Sequence, residues 1–110
     1  MKEYSIKITT QAYNQLLAIR DYIAEELFAP MAARNTMAAL KTGIKSLATM
    51  PERVKLVDEE PWRRKGIRKL SIKKYYVYFR IDEEKDVIHV IAIIYASRNQ
   101  MACLEELDTE

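Results

Sequence analysis

At 110 residues, 49% of them hydrophobic and 31% charged, with only two glycines and three prolines, the chain has the size and apolar content of one compact domain, and its composition excludes a disordered polymer. No apolar run nears the ~18 residues that cross a bilayer, and the opening MKEYSIKITT lacks the charged-then-apolar pattern of a secretory leader, so a cytoplasmic protein with no membrane contact is expected. One cysteine, Cys103, and one histidine, His89, exclude an internal disulfide and are too few for a zinc site, so neither metal nor cofactor is expected.

The net charge of +2 points to no partner, but residues 61–80 hold eight Lys/Arg and no acid, which leaves ten basic against sixteen acidic side chains elsewhere. A chain polarised in this way favours a polyanion or an acidic protein segment.

In chain order, Tyr4, Ile6 and Ile8 alternate with Ser5 and Lys7, the period of a half-buried strand over residues 2–9. Thr9 or Thr10 can cap the next element, in which Leu16, Ile19, Ile23 and Leu27 recur at helical spacing. Pro30 suits the first turn of a second helix, whose stripe of Met37, Leu40, Ile44 and Leu47 runs on to Pro51. These two helices predict a hairpin. From Glu52 to Lys65 periodicity is lost, and the segment reads as a connection with an acidic cluster, Asp58, Glu59 and Glu60. Periodicity resumes at Arg68. Leu70 and Ile72 oppose Lys69, Ser71 and Lys73, and then Tyr75, Val77, Phe79 and Ile81 oppose Lys74, Tyr76, Tyr78 and Arg80. DEEKD at 82–86 is a hairpin turn, and VIHVIAIIYA at 87–96, apolar on both faces, is a central strand. A short helix is expected in the closing QMACLEELDTE.

The order β-α-α-β-β-β predicts an α+β fold, a single domain over 1–110 with a mainly antiparallel four-stranded sheet and the helical hairpin packed on one face. The other face is expected to stand open and to project Lys69, Lys73, Lys74, Tyr76, Tyr78 and Arg80. Tyrosines stack on bases and cations contact phosphates, so such a face suits single-stranded nucleic acid. It suits equally an acidic or amphipathic segment of another protein.

The helix text "IRDYIAEEL", the following "PMAARN", then "LATMPER", "GIRKLSIKKYYVYFRID" and the closing "VIAIIYASRN" resemble, over nearly the whole chain, the RelE/ParE family of bacterial toxin–antitoxin toxins. The resemblance implies a small cytoplasmic toxin, neutralised by a cognate antitoxin whose acidic or amphipathic C-terminal segment wraps it. It implies one of two targets: RelE-like members cut messenger RNA on the translating ribosome, and ParE-like members inhibit DNA gyrase. RNA cleavage needs a group to activate the ribose 2′-hydroxyl, cations for the phosphate and an acid for the leaving oxygen. Against the RelE-like pattern, Tyr76 stands where a third-strand arginine is expected. Arg98 is retained, and Ala102 lies near the place of a catalytic tyrosine. The triplet Ser97-Arg98-Asn99 and "PMAAR" are closer to ParE-like sequences, so the ParE-like branch is favoured. If the chain is a nuclease, Tyr76, Tyr78, Arg80 and Arg98 are the candidate catalytic residues. A non-toxic nucleic-acid-binding module and a degenerate toxin are the remaining alternatives.

The candidate partner-binding residues are Arg68, Lys69, Lys73, Lys74, Tyr76, Tyr78, Arg80, Tyr95 and Arg98. Each also has a simpler role. Arg68 either meets a partner's carboxylate or ties its strand to Glu59 or Glu60. The lysines serve as ligands or as solubilising surface, Tyr95 as a functional hydroxyl or as packing. Arg98 binds a target or finishes the sheet. His89 is read as a core residue rather than a general base, Cys103 as a small hydrophobe, and Trp62 as an anchor for the connection.

Overall fold

The computed structural model describes residues 2–106. Strand β1 (Ser5–Ile8) leads into helix α1 (Thr10–Asp21), whose N-cap is Thr9: its hydroxyl oxygen accepts the Ala12 amide at 3.2 Å. The apolar stripe continues past α1 through one π-turn, Tyr22–Glu26, and the helix stops at Phe28, which is left-handed at φ 51°. Ala29 precedes a proline and lies outside the helical region, and Pro30 opens helix α2 (Pro30–Lys45) at a position that needs no amide donor. Strands β2 (Arg68–Ile72), β3 (Tyr75–Asp82) and β4 (Val87–Tyr95) follow, and helix α3 (Gln100–Glu105) is capped by Asn99.

The sheet order is β1-β4-β3-β2. β2, β3 and β4 pair antiparallel, while β1 lies parallel to β4, from Ser5 opposite Val87 to Ile8 opposite Val90. The architecture is therefore the expected α+β one, a mostly antiparallel sheet with the α1–α2 hairpin on one face. β4 is nine residues long and lies between β1 and β3, as its two-sided apolar pattern demands. Beneath the hairpin, Leu40, Ile44 and Leu47 pack on Val77, Phe79, Ile88, Val90 and Ile93, with Ile19, Tyr75 and Ile81 at the margin.

The second face is not open. A second cluster joins Tyr78, Ile91, Ala92 and Ile94 to Val57, Trp62 and Ile67 of the 52–67 connection and to Leu104 of α3. The connection is thus a strap that crosses the sheet, with Trp62 as its anchor. The expectation of an exposed second face fails for a physical reason: β4 is apolar on both sides, and each buried Ile or Leu is worth ~1.5–3 kcal/mol, so leaving the far side in water costs more than ordering an aperiodic strap over it.

Gly43 of α2 lets the hairpin lie close on Ile72 of the sheet. A Cβ built there would sit 2.9 Å from Cγ1 of Ile72 and nearer still to its δ-methyl. Gly43→Ala gains about 1 kcal/mol of helix propensity but meets an overpacking penalty of about 1–3 kcal/mol. Urea titration is expected to show a net loss for Gly43→Ala that shrinks in an Ile72→Val background.

Candidate functional site

A groove of about 1050 Å³ lies between α1, the following π-turn and the ends of β3 and β4. Ile19, Ile23 and Leu27 form its helical wall, Tyr75, Ile93 and Tyr95 its sheet wall, and Lys73, Lys74 and Arg98 its cationic lining; Cys103 and Glu106 line it too. The β2–β3 hairpin turns on Lys73 and Lys74, with Lys73 held left-handed at φ 52°, and both side chains are exposed. Arg98 is set by a turn after β4, where its amide donates to the Tyr95 carbonyl at 3.1 Å. Tyr95 is 40% exposed, and its ring meets that of Tyr75 at 5.6 Å, tilted by 58°. Burial, then the neighbouring Tyr95 and Tyr22, pushes the Tyr75 hydroxyl above the usual tyrosine range.

Of the residues singled out in the sequence, Lys73, Lys74, Tyr95 and Arg98 come together here. The others do not. Lys69 lies over the Tyr76 ring at 4.4 Å, and the Tyr76 and Tyr78 rings meet edge to face at 6.4 Å. Tyr76 is half-buried beside the second cluster, so its faces are taken up by packing. Tyr78 is 1% exposed. It was expected to project into solvent, but Trp62 and Leu104 close over it, and its hydroxyl donates to Oε1 of Gln100 at 2.6 Å. The same Gln100 amide donates to the carbonyls of Tyr95 and Arg98, each at 2.9 Å, and so fastens α3 to the sheet.

Arg68 does not tie its strand to Glu59 or Glu60: its Nη1 donates to the Val54 carbonyl at 2.6 Å, which clips the strap to β2. Of the acids in that cluster, Glu60 pairs with Arg64 at 3.2 Å and Asp58 stands 3.8 Å from Arg63. Arg80 is half-buried and lies opposite His89, which in turn lies opposite Lys7. At about 3.4 Å per residue this row is some 17 Å along β3 from Tyr75. His89 points Nε2 at Asp82, 3.6 Å away, and that nitrogen is buried with no hydrogen-bond partner. Asp82 is held below its usual pKa chiefly by the Lys85 amide, with His89 contributing. No group of three His, Cys, Asp or Glu able to hold a metal occurs among the described residues.

Sequence reading missed Tyr22, Tyr75 as a groove residue, and the paired roles of Gln15 and Gln100. Tyr22 sits three residues beyond Ile19 on the apolar stripe, a signal that was present. The glutamines act on backbone groups, and such partners leave no mark in composition or period.

Burial pushes the Tyr78 hydroxyl up from 10.0, with Glu59 and Tyr76 adding to it. An acid whose folded pKa is raised contributes stability that is present below pH ~10 and lost as pH rises above it. Tyr78→Phe is expected to cost about 1 kcal/mol at pH 7 through the lost Gln100 bond. Urea midpoints from pH 7 to 11 should then converge with those of the unaltered protein, and parallel pH curves would contradict the burial of this hydroxyl.

The sequence profile of the family described as "ParE toxin of type II toxin-antitoxin system, parDE" matches residues 6–100. Toxin RelE2 of Caulobacter vibrioides is 36% identical over 92 residues, which cover 82% of this chain and 92% of that protein. Among solved structures, a chain of the chromosomal ParDE system of P. aeruginosa superposes with a TM-score of 0.70 at 22% identity, covering 86% of this chain and 98% of that one. A chain of the RelBE2 toxin–antitoxin complex of Mycobacterium tuberculosis gives 0.60 at 20% identity, with 84% and 98% covered. A mutant of E. coli toxin RelE in the free state gives 0.63 at 14% identity, with 92% of each chain covered. The three structural likenesses show the fold.

Proposed function

The chain belongs to the ParE toxin family of type II toxin–antitoxin systems, and from that membership we propose a single-domain, cytoplasmic, ParE-like toxin that arrests growth by inhibiting DNA gyrase and is silenced by its cognate antitoxin. The toxin class rests on the match over residues 6–100 and on the relative at 36% identity. One observation supports gyrase over RNA as the target: the groups a ribonuclease would need do not share an open surface. Tyr78 is sealed with its hydroxyl given to Gln100, Tyr76 is packed under Lys69, and Arg80 stands in a row with His89 and Lys7. Only Arg98 of the four candidate catalytic residues reaches the groove. A phosphodiester held at Arg98 would have neither a base nor an acid among them within a hydrogen bond's reach.

The antitoxin reading rests on the groove. Its apolar walls offer buried area, and its cations, which have no acidic partner among the described residues, offer register and a faster encounter with an acidic segment. A second reading, ribosome-dependent message cleavage, is favoured by the name of the Caulobacter relative, Toxin RelE2.

The two targets separate in one pair of assays. Purified toxin is expected to stop gyrase supercoiling of relaxed plasmid, and primer extension on messages from induced cells is expected to show no new ends. New ends at the ribosomal A site, with supercoiling intact, would overturn the gyrase reading in favour of the nuclease.

A further inference from the structure

The strap and α3 do not claim every residue on their side of the sheet. In the second cluster the sheet contributes Tyr78 of β3 and Ile91, Ala92 and Ile94 of β4, with Tyr76 at the margin. The next row, Lys7 of β1, His89 of β4 and Arg80 of β3, belongs to neither apolar cluster. Its chain neighbours Ile6, Phe79, Ile81, Ile88 and Val90 pack under the hairpin, so strand alternation turns the row to the opposite face. Residues in register lie side by side on neighbouring strands about 4.8 Å apart, so His89 stands between the two cations in a row about 10 Å across.

The row holds more positive charge than the protein uses. Lys7 is exposed and Arg80 half-buried, and neither has a hydrogen bond or an acidic partner among the described residues. Glu83 and Asp86 of the adjoining turn pair with Lys2, at 3.5 and 2.9 Å. Asp82 accepts the Lys85 amide at 3.2 Å and stands 3.6 Å from Nε2 of His89, on the buried side of the ring. The ring is therefore oriented by a carboxylate at one nitrogen. Its other nitrogen, Nδ1, is not buried and has no hydrogen-bond partner among the described residues.

We propose that Lys7, His89 and Arg80 form a phosphate-binding site, which takes inorganic phosphate or the phosphate of a monoester. Such a group carries a charge of about −1.5 to −2 and three strong acceptor oxygens. The guanidinium fork of Arg80 engages two of them, the imidazolium Nδ1–H of His89 donates to the third, and Lys7 adds a mobile point charge. Asp82 takes the remaining ring proton on Nε2, so the imidazolium that meets the anion is itself paired from behind. A carboxylate has only two oxygens and one charge, and it would leave part of the row unmatched. The row lies about 17 Å along β3 from Tyr75 and the groove, so the site stands apart from the surface assigned to the antitoxin.

His89 is the one histidine of the chain, and its ring C2 proton gives a single imidazole signal by which binding is read directly. Inorganic phosphate and AMP are titrated into the full chain near pH 6.5 at constant ionic strength, with acetate and adenosine as comparisons. The signal is expected to move along a saturating curve with phosphate and with AMP, and acetate and adenosine are expected to bind at least tenfold more weakly. Tighter binding of AMP assigns the site to a nucleotide and equal binding assigns it to the phosphate alone; both outcomes support it. Arg80→Gln and Lys7→Gln are each expected to weaken phosphate at least fivefold, while Lys45→Gln, an equal loss of charge on the exposed side of α2, changes it less than twofold. Lys7 is exposed, so its variant reads the site even where the half-buried Arg80 variant fails to fold. A response linear in phosphate, acetate binding as tightly as phosphate, or Lys45→Gln as damaging as Lys7→Gln overturns the site.

Discussion

Everything in this fold follows from one strand that is apolar on both sides. β4 places Ile88, Val90 and Ile93 towards one face and Ile91, Ala92 and Ile94 towards the other, and all six are buried. A sheet built around such a strand needs two covers. The helical hairpin supplies the first with a regular stripe. The second is assembled from a strap with no period of its own and from α3, held by Trp62, Leu104, the Arg68 clip and the Gln100 amide.

That second cover redistributes the basic stretch between residues 63 and 80. Arg63 and Arg68 reach carbonyls of the strap, Arg64 pairs with Glu60, and Lys69 lies on Tyr76, so about half of the positive charge serves local geometry. The exposed pairs among these contribute little to stability, since solvent screens them. Lys73 and Lys74, presented by a two-residue turn, and Arg98, presented by the exit from β4, line the groove instead. These sit beside the apolar walls of that groove.

The sequence made the first cover legible because helices and amphipathic strands announce themselves by period: Leu16, Ile19 and Ile23, Leu40, Ile44 and Leu47, and the alternation of Tyr75 to Ile81 all lie as their spacing requires. The second cover was hidden for two reasons. Trp62, Val57 and Leu104 follow no period, and an aperiodic apolar residue does not say which surface it will meet. The clue lay in β4 itself, whose double-sided apolar run is incompatible with an open face. The site was less legible than the fold. Charge and family resemblance singled out Lys73, Lys74, Tyr95 and Arg98, but that they line one groove depends on where the β2–β3 turn and the end of β4 fall, which is a matter of register.

The central claim, that β4 is locked under cover on both sides, is tested most directly by native-state hydrogen exchange along that strand. The account predicts that the amides of Ile88, Val90, Ala92 and Ile94 all open with the free energy of global unfolding measured by urea, those under the strap no more readily than those under the hairpin. Exchange of Ala92 and Ile94 through a local opening several kcal/mol cheaper than global unfolding would show that the strap and α3 come and go, and would contradict it.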